Sequence, residues 1–246
     1  MFEIELKERS LIDLIWEISY HMRTELEIII NKNKMISRFS SKKYNCIIEL
    51  AIEKKLFSKY NVTESTTIYF KKGEKFTDMF RYSEGFLTIK GNAENLTFIE
   101  KYDGIEEITM KNTDELKESI KFPECYMEVN AVLPYKTFRK LSSYCIGEVH
   151  LISGSGKLIT KTTYHEAIER RYFDPTIIKI AESVYSSNAL HDLRMISSGT
   201  GCAEELLGNG NVYVCFDNGS PLNLVFNNAD GVVLKYYLAP SDSEED

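Results

Sequence analysis

Short runs rich in β-branched and aromatic residues recur from end to end of this 246-residue chain, and they restrict its fold more than any other feature. Leu26–Ile30, Cys46–Ile52, Thr66–Phe70, Phe86–Lys90, Leu96–Lys101, Ile105–Met110, Met127–Val132, Glu148–Ser153, Ile177–Val184, Val212–Phe216, Leu222–Phe226 and Val232–Leu238 read as strands. Helical periodicity is sparse. Ser10 is placed to N-cap a helix with Leu11, Leu14, Ile15 and Ile18 on one face, and weaker patterns cover Lys71–Tyr82, Pro134–Cys145 and Asn188–Ile196. Two helical patterns fall in each half, with Leu11–Ile18 and Phe138–Cys145 in matching places. The order predicts a duplicated α+β unit.

Between the halves, Lys111–Glu124 is polar and aperiodic apart from Leu116, Ile120 and Phe122, which reads as a linker crossing a surface. Pro123 biases Phe122 toward extended backbone, so Ile120 and Phe122 would project to the same side. The last six residues, Ser241–Asp246, hold four acids and no apolar anchor, and are expected to be solvated.

Composition narrows the class. With 43% hydrophobic and 27% charged residues the chain can build one large or two ordinary cores. No stretch approaches the roughly 20 apolar residues of a membrane-spanning helix, and Met1–Glu5 lacks the order of a signal peptide. The five cysteines are widely spaced with no Cys-x-x-Cys, which suggests neither a disulfide framework nor a zinc site and fits reduced thiols in the cytosol or nucleus. A net charge of -7 describes the whole molecule, whereas nucleic-acid binding depends on where cations cluster.

No catalytic constellation stands out. His21, His150, His165 and His191 have no metal-ligand spacing. Gly154-Ser155-Gly156-Lys157 has part of a phosphate-loop motif, but Leu151 stands where that motif needs glycine and Leu158 where it needs Ser or Thr. A hairpin turn is the expectation there. Two cation trios are better candidates: Lys136, Arg139 and Lys140, and Lys71, Lys72 and Lys75, each spaced to share one helical face. Either could meet phosphates or simply be a solvated surface.

The run Leu234-Lys235-Tyr236-Tyr237-Leu238-Ala239-Pro240 resembles the C-terminal strand of the eukaryotic sliding clamp, proliferating cell nuclear antigen (PCNA). Met1-Phe2-Glu3, Phe57-Ser58-Lys59-Tyr60, Phe122-Pro123, Pro134 and Pro221-Leu222 agree with the same family pattern, Ser40-Ser41-Lys42-Lys43-Tyr44 departs from it, and Ser153–Asn188 resists alignment. The resemblance implies a DNA clamp fold of the α+β class: two similar domains per subunit, antiparallel sheets outside, and two helices from each lining a ring of three subunits. On that pattern residues 1–108 form the first domain, 109–127 the connecting loop, 128–240 the second domain and 241–246 a disordered acidic tail.

What such a clamp does follows by resemblance. It would encircle double-stranded DNA without reading sequence, as processivity factor for a DNA polymerase and docking platform for a clamp loader and peptide-bearing replication and repair proteins in the nucleus. It would need no cofactor or metal and would not be an enzyme. The ring lining would be Lys71, Lys72, Lys75 and Arg81 of the second helix, Lys136, Arg139 and Lys140 of the third, and Arg194 of the fourth. The first helix departs from the family pattern, with Asp13, Leu14 and Tyr20 where lysines are usual. A groove for apolar and aromatic peptide plugs would be walled by Ser40, Tyr44, Ile47, Ile120, Phe122, Pro123, Pro221, Tyr237 and Ala239. Ile120 and Phe122 could equally pin the linker to its own domain. Unpaired sheet edges, Ile105–Met110 among them, are expected to join copies into a homotrimer. The alternatives are a subunit of a heterotrimeric checkpoint or replicative clamp and, of another class, a nucleotide-dependent enzyme using the Gly-rich loop.

Overall fold

The computed structural model describes residues 1–22, 25–40, 46–71, 86–102, 104–114, 119–120, 130–143, 148–154, 156–164, 167–173, 176–177, 183–187, 206–218, 220–227 and 230–240. They form strands β1 (Phe2–Leu6), β2 (Glu25–Ile30), β3 (Lys34–Ser40), β4 (Cys46–Glu53), β5 (Lys59–Val62), β6 (Thr66–Phe70), β7 (Phe86–Gly91), β8 (Asn95–Tyr102), β9 (Ile105–Asn112), β10 (Ala131–Pro134), β11 (Glu148–Gly154), β12 (Lys157–Tyr164), β13 (Ala167–Phe173), β14 (Thr176–Ile177), β15 (Ser183–Ser187), β16 (Asn211–Cys215), β17 (Leu222–Asn227) and β18 (Val232–Leu238). Among the described residues the α-helices with full bounds are α1 (Arg9–Met22) and α2 (Tyr135–Ser143), and a single 3-10 turn spans Lys54–Leu56. The expected helices at Lys71–Tyr82 and Asn188–Ile196 lie, apart from Lys71, outside the described residues.

Two compact units divide the chain, one of Met1–Lys42, Glu49–Phe122 and Ala229–Val233, the other of Lys43–Ile48, Pro123–Asn228 and Leu234–Asp246. The first unit holds a five-stranded antiparallel sheet in the order β5-β1-β7-β8-β9, and a second layer in which β6, β2, β3 and the end of β4 lie side by side. Alternation of apolar side chains builds most of this core. Phe2, Ile4 and Leu6 of β1 point inward, as do Leu26, Ile28 and Ile30 of β2 and Met35 and Phe39 of β3. On α1, Leu11, Leu14, Ile15 and Ile18 are all fully buried, the spacing of one apolar face. Phe57 and Tyr60 pack ring against ring at 4.9 Å, and the Tyr60 hydroxyl donates to the Asn31 carbonyl at 2.8 Å.

The second unit repeats the plan with a sheet in the order β13-β12-β11-β15 and a run β14-β10-β16-β17-β18. Gly154 pairs with Lys157 across a two-residue turn whose Gly156 sits at φ +75°, a conformation open to glycine at no steric cost. The Gly-Ser-Gly-Lys motif is thus a hairpin.

Several expectations need correction. α1 begins at Arg9, with Leu11 and Ile12 amides donating to Glu8, so Ser10 lies inside the helix rather than capping it. Pro134 closes β10, paired with Asn211, and the helix starts one residue later. Of the expected strand Ile177–Val184, Ile177 belongs to β14, paired with β10, and Ser183 and Val184 belong to β15, paired with β11 in a different sheet, while 178–182 lie outside the described residues. β3, β5 and β13 were not expected from the sequence, and β1 and β12 only without bounds, as the strand before the first helix and the far arm of the expected hairpin.

Candidate nucleic-acid interface and docking surfaces

Helix α2 is the clearest case of a helix sorting its side chains by face. Tyr135, Phe138, Leu141 and Ser142 are buried, and the rings of Tyr135 and Phe138 meet Phe226 of β17 edge-on at 6.2 and 5.1 Å, with Tyr236 of β18 completing the cluster at 5.5 Å from Phe226. Each such pair contributes about 0.5–1.5 kcal/mol beyond its burial. With that face fixed, Lys136, Arg139 and Lys140 gather on the other, Lys136 and Lys140 exposed and Arg139 half-buried. No acidic residue occurs between Tyr135 and Ser143. The result is a cationic stripe one turn long.

Helix α1 is different. Its outward residues are Arg9, Asp13, Trp16 and Tyr20; the Arg9 guanidinium lies 2.8 Å from the Asp13 carboxylate, and Trp16 and Tyr20 stack at 5.4 Å. One cation tied to one anion leaves the outward face of α1 close to neutral, and the second acid of the helix, Glu17, is buried. Lys71 stands in a bend after β6, where its backbone amide donates to the Asp114 carboxylate at 2.7 Å. Lys72, Lys75, Arg81 and Arg194 lie outside the described residues.

The expected groove residues divide by burial. In the first unit Ser40, at the end of β3, and Ile120 are buried. In the second unit Ile47 is also buried, while Pro221, Tyr237 and Ala239 are half-exposed. The alternation of β18 explains the last pair. Leu234, Tyr236 and Leu238 face the core, which turns Tyr237 outward, with Ala239 two residues further on. Tyr44, Phe122 and Pro123 lie outside the described residues.

Around Ile120 the structure shows a polar arrangement that sequence reasoning missed. Arg38 of β3 stands directly opposite Glu27 of β2, with Nη1 3.3 Å from Glu27 Oε2 and Nε 2.9 Å from Glu49 Oε2 on β4. The Ser119 hydroxyl donates to Glu27 Oε1 at 2.7 Å, and Arg38 Nη1 also donates to the Ile120 carbonyl at 3.3 Å. The Glu27 side chain is only 1% exposed. A charged residue inside the otherwise apolar run Leu26–Ile30 was the available signal.

Two sheet edges are the third surface. β9 ends the five-stranded sheet and β13 ends the four-stranded one. Ile105 and Ile108 are 69% and 58% exposed, and Ile168 and Tyr172 are 59% and 60% exposed. Between them stand Glu106 and Glu107 on β9, and Glu169, Arg170 and Arg171 on β13, with Glu169 paired to Arg171 and Glu106 3.8 Å from Lys101. Every residue from Ile105 to Ile108 and from Ile168 to Tyr172 is exposed, so both faces of each edge are open. Large apolar residues on an open edge invite pairing with another strand.

Among the described residues no group of three His, Cys, Asp or Glu side chains is placed to hold a metal ion, and no helix is long and apolar enough to cross a membrane. The Cys215 thiol is pushed up to about 11 by burial, so it stays protonated near neutrality.

Together these features describe an antiparallel two-unit architecture with helices on its sheets, the fold of the DNA sliding clamps. The solved structures it resembles are PCNA proteins. Thermococcus kodakaraensis PCNA superposes with a TM-score of 0.77 at 18% identity, covering 98% of this chain and 100% of that one. The PCNA2–PCNA3 complex of Sulfolobus tokodaii gives a TM-score of 0.78 at 16% identity, covering 97% and 99%. Proliferating cellular nuclear antigen from Entamoeba histolytica gives 0.77 at 15% identity, covering 98% of each chain. No family model matches the sequence. No curated protein matches it either.

Proposed function

We propose that this chain is a subunit of a closed DNA clamp made from copies of itself, which encircles duplex DNA without reading its sequence and serves as processivity factor and docking platform for replication and repair proteins. It works by enclosure and docking and catalyses no reaction. The observation that carries this reading is the pair of open edges. β9 offers Glu106 and Glu107 between exposed isoleucines, and β13 offers Glu169, Arg170 and Arg171 between Ile168 and Tyr172, with Glu169 paired to Arg171, so an edge segment with two acids faces one with a net single positive charge. A head-to-tail contact between unlike surfaces propagates, and closes into a ring when the rotation per subunit allows. Likeness to PCNA over nearly the whole chain supports a ring.

The PCNA2–PCNA3 complex among the similar structures motivates a second reading, a heteromeric ring. Opposite charge on the two edges of one chain favours the homomeric one.

Threading tests enclosure without a loader. Mixed at high concentration with linear duplex whose ends are then capped by a bulky protein, the clamp should stay on the DNA through a high-salt wash. Capping the ends beforehand should abolish retention. Equal retention in both orders would mean surface binding and would remove the enclosure claim.

A further inference from the structure

After β9 the chain touches the β6-β2-β3 layer at successive strands. Asp114 bridges Tyr69 of β6, its amide donating to the Tyr69 carbonyl at 2.9 Å. Ser119 then meets Glu27 of β2, and Ile120 meets Arg38 of β3. Each step moves one strand across the layer, toward β4, where Glu49 takes the other side of the Arg38 guanidinium.

We propose that Arg38, bracketed by Glu27 and Glu49, is a positioning residue that fastens the connecting segment at Ser119–Ile120, so that Ile120 is a buried anchor and the segment enters the peptide groove from a fixed point. The inference rests on the reading of residues beyond Ile120 as a groove wall.

The electrostatics explain why the fastening lies there. A carboxylate as deeply buried as Glu27 is tolerated only when its oxygens are occupied. Oε2 is taken by Arg38 and Oε1 by the Ser119 hydroxyl, so the segment itself supplies one of the partners the buried anion needs. The guanidinium serves both carboxylates and the Ile120 carbonyl through its fixed fork, which the compact ammonium of a lysine could not reproduce. Ile120 is 6% exposed, which suits an anchor better than a wall. An ordered starting point lowers the entropy that peptide binding must spend on the segment.

The test uses Ile120→Cys as a reporter in the full-length protein, with maleimide labelling at that position read by peptide mass spectrometry. Arg38→Met alone would strand two buried carboxylates and could unfold the unit, so the decisive background is Glu27→Gln/Arg38→Met/Glu49→Gln, which is neutral throughout. Labelling of the reporter thiol should be slow with the native network and at least about tenfold faster in the neutral triple variant, with an unchanged far-ultraviolet dichroism spectrum. Affinity for a peptide with one aliphatic and one aromatic plug, measured without the reporter, should fall about five- to tenfold in that variant. Equal labelling rates would overturn the proposal. Faster labelling with unchanged peptide affinity would uphold the fastening and remove the groove reading.

Discussion

The ring of Phe226 meets that of Phe138 edge-on, 5.1 Å apart at 86°, and this contact fixes which face of α2 is left for solvent. Phe138→Ala would empty a fully enclosed site on the helix while leaving the cations in place. The expected cost is about 3–5 kcal/mol of unfolding free energy. Urea denaturation of the purified variant checks it; a loss below about 1 kcal/mol would mean that α2 is not held by this cluster.

The cationic stripe makes a separate prediction. Replacing Lys136, Arg139 and Lys140 together by Ala should weaken binding to duplexes of unrelated sequence nearly equally. It should also lower the slope of log affinity against log salt by up to about 2.7, three contacts at roughly 0.9 each. Lys157→Ala should leave both unchanged, because Lys157 begins β12 after a hairpin and belongs to no phosphate loop. Fluorescence anisotropy across a salt series reads both, and an unaltered slope in the triple variant would place those side chains away from DNA.

Much of this architecture could be read from residue order, and the failures have a physical pattern. β17 and β18 alternate cleanly, with Leu222, Leu224 and Phe226 and then Val232, Leu234, Tyr236 and Leu238 inward, and both were expected almost to the residue. β13 escaped notice because an edge open on both faces carries Glu169, Arg170 and Arg171 in sequence and shows no alternation. β3 breaks the usual code at its centre, burying Ser37 between Met35 and Phe39 and placing Ile36 on the other face with Arg38. β1 alternates well, but its two glutamates are poor strand formers. For the candidate site, the grouping of Lys136, Arg139 and Lys140 was legible because helical period alone sets it. The Arg38 network was not, since its members lie far apart in sequence and meet only through strand register.

Alkaline stability should report on Tyr60. Burial raises its hydroxyl well above the usual tyrosine range, and that hydroxyl donates to the Asn31 carbonyl. In the unfolded chain a tyrosine loses its proton near pH 10. Above that pH the folded state binds more protons than the unfolded one, so stability falls as pH rises from about 10 toward the folded value. Tyr60→Phe should cost about 0.5–1.5 kcal/mol at neutral pH and flatten that decline. Chemical denaturation at pH 8 and at pH 10.5 distinguishes the slopes; parallel losses in both proteins would mean that Tyr60 contributes nothing to the alkaline limb.

Charge reversal tests the edges. Arg170→Glu with Arg171→Glu puts acids against the acidic β9 edge of the next copy and should dissociate the assembly. Adding Glu106→Arg and Glu107→Arg to the same chain restores opposite signs and should recover it at least in part. Sedimentation velocity of the two variants side by side decides, and failure of the first pair to shift the distribution would exclude β13 from the interface.

The most direct test of a self-built ring is the mass of the native protein in solution. Light scattering coupled to size exclusion at micromolar concentration should report about three times the 28.4 kDa chain, with no partner added. A stable species at the mass of a single chain would contradict a ring closed by copies of this protein alone.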